Sequence, residues 1–234
     1  MDQPLLKDLL GPTSPTPEIL SVRAICASTL NGSATIDGRS KALGNDLDGK
    51  LLNALRDWCD VVLVGAETVR SENYFGVQPT ENSPVPARMA VVTASMEFHW
   101  EKQFFYNYFT PHIFLVPDNS LSDSTKKPLI HRLEKFGDVH NVNDGNPQNW
   151  IDTLKHLGFK RILCEGGPAI FGGLIAMNAV DQFYLTLDPT LSSAVESPIT
   201  RDPSDRLATQ NMHLESVQSC PDSTIFLRYG RGDS

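Results

Sequence analysis

These 234 residues predict an α/β fold: a mixed, mostly parallel central sheet with flanking helices and a C-terminal antiparallel hairpin. Short β-branched runs recur along the chain, several of them apolar throughout rather than alternating, as strands buried on both faces of a parallel sheet require. Helical patterns separate them, which indicates right-handed crossovers between parallel strands. The rhythm breaks only near the end, where "MHLESVQSC-PDS-TIFLRY" places two strands around a Pro-Asp-Ser turn.

Taken in order, residues 1–18 stand outside the alternation. "PLLKDLL" is a short amphipathic lead and "GPTSPTPE" (11–18) a Pro/Ser/Thr linker, so an N-terminal extension precedes one domain at 19–234. The strand candidates are "ILSVRAICAS" (19–28), "VVLVG" (61–65), "MAVVTA" (89–94), "HIFLVP" (112–117), "DVHNV" (138–142), "RILCE" (161–165) and "QFYLTL" (182–187). "NDLDGKLLNALRDWC" carries Leu47, Leu51, Leu55 and Trp58 at helical spacing, with Asn45 or Asp46 as N-cap. "NWIDTLKHLG" repeats the pattern with Ile151, Leu154 and Leu157, and Gly158 stops it. The apolar "FYLTL" run fits either a subunit contact or a strand paired inside the sheet.

Composition narrows the function classes. A formal charge of −8 disfavours nonspecific binding to nucleic acid or an anionic membrane. No run reaches membrane-spanning length, and the N-terminus lacks the basic-then-apolar layout of a signal peptide. Cys26, Cys59, Cys164 and Cys220 are scattered, without the clustering a zinc site or disulfide framework needs, so a reducing, cytosolic setting and no metal are expected. The tail "RGDS" (231–234) contains an adhesion tripeptide, for which a frayed terminus is the better account.

Ligands of parallel α/β sheets bind beyond the carboxyl ends of the strands, and three junctions there have a suitable make-up. In "VVLVG-AETVRSE", Gly65 permits close backbone approach and Thr68 falls in the first helical turn. In "RILCE-GGPAIFGG", Glu165 sits at the sheet lip, Gly166 and Gly167 form the turn, and Pro168 suits the first helical position. The free N–H groups and dipole of that turn make an anion site. A Gly-Gly turn with purely backbone duties explains the same residues. Gly172 and Gly173, each costing about 1 kcal/mol inside a helix, require something packed very close, whether a ligand or a neighbouring element. In "VVTAS", Thr93 and Ser95 suit a ribose or phosphate oxygen, and equally a capped turn. Arg56, late in its helix, is by default solvated. Neither G-x-G-x-x-G, a P-loop nor G-x-S-x-G occurs, so chemistry borrowed from a bound cofactor is the economical expectation.

Three segments, "ASTLNG…DGRSKALGND", "LRDWCDVVLVGAETVRSENY" and "LCEGGPAIFGGLIAMNAVDQFYLTLDPTL", resemble in this order the reductase domain of the bifunctional deaminase–reductase of riboflavin biosynthesis, and most closely its stand-alone members. The resemblance implies a dihydrofolate reductase-like three-layer fold, a homodimer and NADPH as hydride donor. It implies a phosphorylated pyrimidine substrate, 5-amino-6-(5-phosphoribosylamino)uracil, whose ribose is reduced to the ribityl form. Cofactor contacts are implied at Ala27, Ala42, Thr68, Glu72, within Thr93, Ala94 and Ser95, and from Gly167 through Pro168, Ala169, Ile170 and Phe171 to Gly173. Substrate contacts are implied at Ser40, Arg56 and Glu165, with Asn31 and Tyr74 nearby. Glu165 or a bound water is then the candidate proton donor, and Arg70 or Ser95 the partner of the NADPH 2′-phosphate. This chain departs from the family pattern at Asn31, where S-L-D-G has a carboxylate, and at Ile25, where many members carry lysine. The deaminase signature, H-x-E followed by P-C-x-x-C, does not occur in the sequence. A pterin or dihydrofolate reductase of the same fold and a non-catalytic nucleotide-binding protein are the alternative readings.

Overall fold

The computed structural model describes residues 2–13, 20–72, 74–202 and 207–232. Along the chain come α1 (Asp2–Leu10), β1 (Ser21–Ser28), α2 (Asp46–Trp58), β2 (Val61–Gly65), α3 (Ala66–Ser71) and β3 (Arg88–Val92). They are followed by β4 (His112–Val116), α4 (Asp118–Leu121), α5 (Lys127–Leu133), β5 (Gly137–Asn141), α6 (Pro147–His156), β6 (Arg161–Cys164) and α7 (Pro168–Ala176). The chain ends in β7 (Gln182–Leu187), β8 (Met212–Ser219) and β9 (Ile225–Arg231).

One nine-stranded sheet runs in the order β5-β4-β3-β2-β6-β1-β7-β9-β8. Every pair from β5 to β7 is parallel, and β9 joins β7 and β8 antiparallel. The apolar runs are explained by the layers. Val62 and Val64 of β2 face a core with Leu51, Leu55 and Phe114, while Val61 and Leu63 face a second core with Ile151, Leu154 and Leu174. A strand covered on both faces favours apolar side chains at successive positions. The "FYLTL" run is the internal strand β7, with Tyr184 and Thr186 buried. Among the described residues, no helix is long and apolar enough to cross a membrane.

Asn45 caps α2, its side chain accepting the N–H groups of Leu47 and Asp48. In α6, Trp150, Ile151 and Leu154 form the buried stripe. Leu157, expected on that stripe, is 38% exposed, because the helix has ended and Gly158 turns the chain at φ +92°. The short helices α4 and α5 lacked sufficient period to be foreseen.

The N-terminal lead is docked rather than free. Leu9 is buried, and the Arg228 guanidinium donates to the carbonyls of Asp8 and Leu9 at 2.7 and 2.8 Å. Tyr184 donates to the Leu10 carbonyl at 2.8 Å, and Arg23, stacked 4.0 Å over the Trp58 ring, to that of Pro12 at 2.7 Å. Cations at the last turn also favour the helix dipole. Of the linker, residues 14–18 lie outside the described residues, as do Ile19 and the last two residues of the adhesion-like tail. Leu9→Ala is expected to cost about 2–4 kcal/mol, read from urea unfolding.

His112 opens β4 fully buried, stacked on Phe104 at 4.0 Å and donating from Nε2 to the Phe104 carbonyl at 2.8 Å. Burial pushes its imidazole down to about 4. The unfolded chain therefore takes up this proton first, so stability falls as pH drops from about 6.5 to about 4 and this contribution is flat below. The loss is on the order of 3 kcal/mol. Unfolding of the wild type across that window should show the slope, and His112→Gln should lack it.

Candidate active site

At the exit of β6 the ladder continues one residue further, Glu165 N–H donating to the Leu63 carbonyl at 3.0 Å. The chain then turns through Gly166, at φ +85°, whose carbonyl accepts the Gly65 N–H at 2.8 Å. A Cβ on Gly166 would lie 2.6 Å from the Phe171 ring, and one on Gly167 would lie 2.7 Å from Thr68 Oγ1. The Gly166–Gly167 peptide is cis, and Gly167 is the N-cap of α7. Gly166 is therefore dictated by its positive φ and by contact, and Gly167 by contact.

This turn leaves the Glu165 carboxylate inside the protein, 4% exposed. Arg56, from the last turn of α2, meets it with a fork: Nε donates to Oε1 and a terminal nitrogen to Oε2, both at 2.7 Å. The Tyr74 hydroxyl donates to Oε2 as well. Burial works against the Arg56 charge, but the carboxylate outweighs it and holds the guanidinium above the usual arginine range. Burial, and then the Glu165 charge, holds the Tyr74 phenol protonated.

Beside Glu165 opens a cavity of about 720 Å³ over the carboxyl end of β1. Ile25, Cys26 and Ala27 are its floor, and Asp48 of α2 faces it from the side opposite β6. The start of α7 enters through its N-cap Gly167 and Pro168, and Thr68 of α3 and Glu72 at the C-cap of that helix join them. Glu72 accepts the Ser40 N–H at 2.6 Å, holding the 3-10 turn Ser40–Ala42 against the rim. Ala34, Thr35 and Gly38 line it from the segment before that turn, and the outer wall is the segment 196–201, which the sequence reading missed altogether.

Of the residues singled out from the sequence, the structure gathers Ala27, Ser40, Thr68, Glu72, Tyr74 and Glu165 around this cavity, together with Gly167, Pro168 and Phe171. Ala42 is exposed on the rim turn, outside the lining. Gly65, Gly166, Ala169 and Ile170 belong to the supporting junction, with Ile170 buried 3.2 Å from the Cβ position of Gly65. Arg56 departs from its default: it is buried behind Glu165, not solvated, and does not line the cavity. Asn31 also stands apart, its amide tying the 29–33 turn to Ser192 through the Ser192 carbonyl, N–H and hydroxyl.

The third junction uses its hydroxyls internally. Thr93 Oγ1 accepts the Met96 N–H and Ser95 Oγ the Glu97 N–H, while Lys126 donates to the Ala94 carbonyl. Arg70 donates to the Glu97 carbonyl. Gly172 and Gly173 are explained by the protein itself. A Cβ on Gly172 would meet the Arg201 carbonyl at 2.5 Å, and one on Gly173 would meet Pro147 at 2.6 Å. Gly172 is thus the one sequence signal for the missed wall, since it admits the backbone of residue 201 against α7.

The sequence pattern of the RibD C-terminal domain matches residues 21–226. No protein of the curated set matches the chain. Among solved structures, a pyrimidine reductase-like protein from Corynebacterium diphtheriae superposes with a TM-score of 0.81 at 27% identity, over 92% of this chain and 93% of that one. Riboflavin Biosynthesis Reductase Rib7 of Saccharomyces cerevisiae shares the fold with a TM-score of 0.64 at 15% identity, over 94% and 93%. A diaminohydroxyphosphoribosylaminopyrimidine deaminase/5-amino-6-(5-phosphoribosylamino)uracil reductase from Thermotoga maritima shares it at 0.72 and 17% identity, this chain spanning 57% of that protein.

Removing one partner of a buried ion pair costs about 3–5 kcal/mol. Arg56→Met should lower stability by that amount in urea unfolding, and Arg56→Met/Glu165→Gln should recover most of it.

Proposed function

The chain belongs to the RibD C-terminal domain family, and we propose that it is an NADPH-dependent reductase that converts the ribose of 5-amino-6-(5-phosphoribosylamino)uracil to the ribityl form, working as a cytosolic homodimer. The observation that carries this reading is the shared cavity: a clamped carboxylate, Glu165, lies two residues from the first turn of α7, and both open onto the same space.

The α7 junction fits a dinucleotide. Pro168 has no N–H and the Ile170 N–H is taken by the Gly167 carbonyl, so the Gly167 and Ala169 N–H groups are the ones the helix entry leaves for a ligand. The Thr68 hydroxyl packs against Gly167 beside them, and the dipole favours the diphosphate. Gly167, Pro168 and Thr68 would hold that group, with Phe171 and Ala27 against the rings. When bound, the reduced nicotinamide supplies a hydride to the sugar carbon.

Glu165 orients the substrate. A carboxylate has about four lone-pair sites, and Arg56 and Tyr74 take three of them. One acceptor remains, fixed in direction, for an N–H or O–H of the pyrimidine or sugar. Arg56 is then a positioning residue, since its fork is committed to Glu165. The substrate phosphate falls to Ser40 and Lys41, on the rim turn held by Glu72. Orientation of this kind lowers the barrier to hydride transfer.

NADPH oxidation measured with the phosphoribosylaminopyrimidine and with dihydrofolate should show turnover of the pyrimidine only. Glu165→Gln should lower kcat/KM by about 10–100-fold, the worth of a hydrogen bond to a charged group, while NADPH affinity stays within about twofold. Turnover of dihydrofolate alone would favour the pterin reading, and absence of NADPH binding would end the reductase one.

A further inference from the structure

The geometry points to Asp48 as the proton donor of the reaction, with Thr186 as the residue that positions its carboxyl; this rests on the reductase reading above. The reduction adds a hydride to C1′ and breaks the bond from C1′ to the ring oxygen. The electron pair of that bond stays on the oxygen, which needs one proton to become a hydroxyl. Asp48 gives that proton, and the carboxylate left behind regains one from water at the cavity mouth.

Asp48 sits in the first turn of α2 and lines the cavity on the far side of β1 from Glu165. Thr186, buried on β7 and paired with Ala27 of β1, donates to Asp48 Oδ1 at 2.5 Å. Oδ2 points past Gly44, whose Cβ position lies 3.1 Å from it. A substrate lying along the floor of Ile25, Cys26 and Ala27 therefore has Glu165 at one end and Asp48 at the other.

The other acids of the cavity are committed. Glu165 carries Arg56 and Tyr74, Glu72 carries the Ser40 N–H, and Glu196 accepts from Gly38 and Thr35. Glu67 lies 3.8 Å from Arg201. Among the described residues, Asp48 has no ion-pair partner. Around it stand the Thr186 hydroxyl on β7, the Cys26 thiol on β1 and Asp188, which accepts the Gly44 N–H, while Lys41 lines the same cavity from the rim turn. Burial raises the Asp48 carboxyl above the usual aspartate range, the Thr186 hydrogen bond pulling it part of the way back. Ile25, on the cavity floor between Asp48 and Glu165, has no proton to give.

The test pairs kinetics with a titration of the protein alone. Carbon-13 NMR of the aspartate carboxyls, with the Asp48 signal assigned by its loss in Asp48→Asn, should show titration above the ordinary range. Thr186→Val should move it higher and Thr186→Ser restore it. As a general acid Asp48 acts while protonated, so kcat should fall as pH rises through that same value and shift with Thr186→Val. Asp48→Asn should lose about 10²–10⁴ in kcat while binding NADPH as the wild type does. An ordinary titration, or an Asp48→Asn enzyme within about threefold of wild-type turnover, overturns the assignment. Wild-type enzyme inert toward the pyrimidine overturns the reductase reading and this role together, so the two failures are told apart.

Discussion

A single carboxylate ties three distant parts of the chain together at the carboxyl edge of the sheet. Glu165 brings the end of β6, Arg56 the last turn of α2, and Tyr74 the segment after α3. Taking such charges out of water is costly, and attraction repays it only when the geometry is good and the remaining hydrogen-bonding capacity is met. The fork from Arg56 and the phenol of Tyr74 meet both conditions. The result is an acceptor whose orientation is set before any ligand arrives, which is the preorganisation that catalysis by positioning needs.

The neighbouring backbone is arranged with equal economy. Gly166 makes way for Phe171, Gly167 for Thr68, and Gly172 for the carbonyl of Arg201. Each substitutes absence of a side chain for a specific neighbour. Two of those neighbours, Thr68 and Phe171, line the cavity, and the third belongs to its outer wall. The glycine-rich stretch is therefore the hub on which α3, α7 and the segment 196–201 converge.

Much of this was legible in the sequence because it is local. Val61 to Val64 announce a doubly covered strand, Asn45 a helix cap, and the Pro-Asp-Ser turn a hairpin. Glu165 and its glycines were conspicuous because a carboxylate at the end of an apolar strand has few structural uses. The pairing of Arg56 with Glu165 was not legible: 109 residues separate them, and a late-helix arginine has no local mark of burial. Asp48 was hidden for a related reason, since an acid in the first turn of a helix is already explained by the dipole. The segment 196–201 has neither period nor motif, and it is placed by what it packs against. Thr93 and Ser95 show the reverse case, residues of suitable chemistry whose hydroxyls are engaged by adjacent N–H groups.

The docking of α1 has an evolutionary corollary. Arg228, Arg23 and Tyr184 hold it by main-chain oxygens of Asp8, Leu9, Leu10 and Pro12. A grip on carbonyls is blind to which amino acid supplies them, so outside Leu5, Leu6, Leu9 and Leu10, which pack on the core, the helix can diverge in sequence while remaining seated. The two arginines and the tyrosine have no such latitude, and no change within the helix compensates their loss. Drift should therefore accumulate on the outward positions of the helix rather than on the residues that seat it.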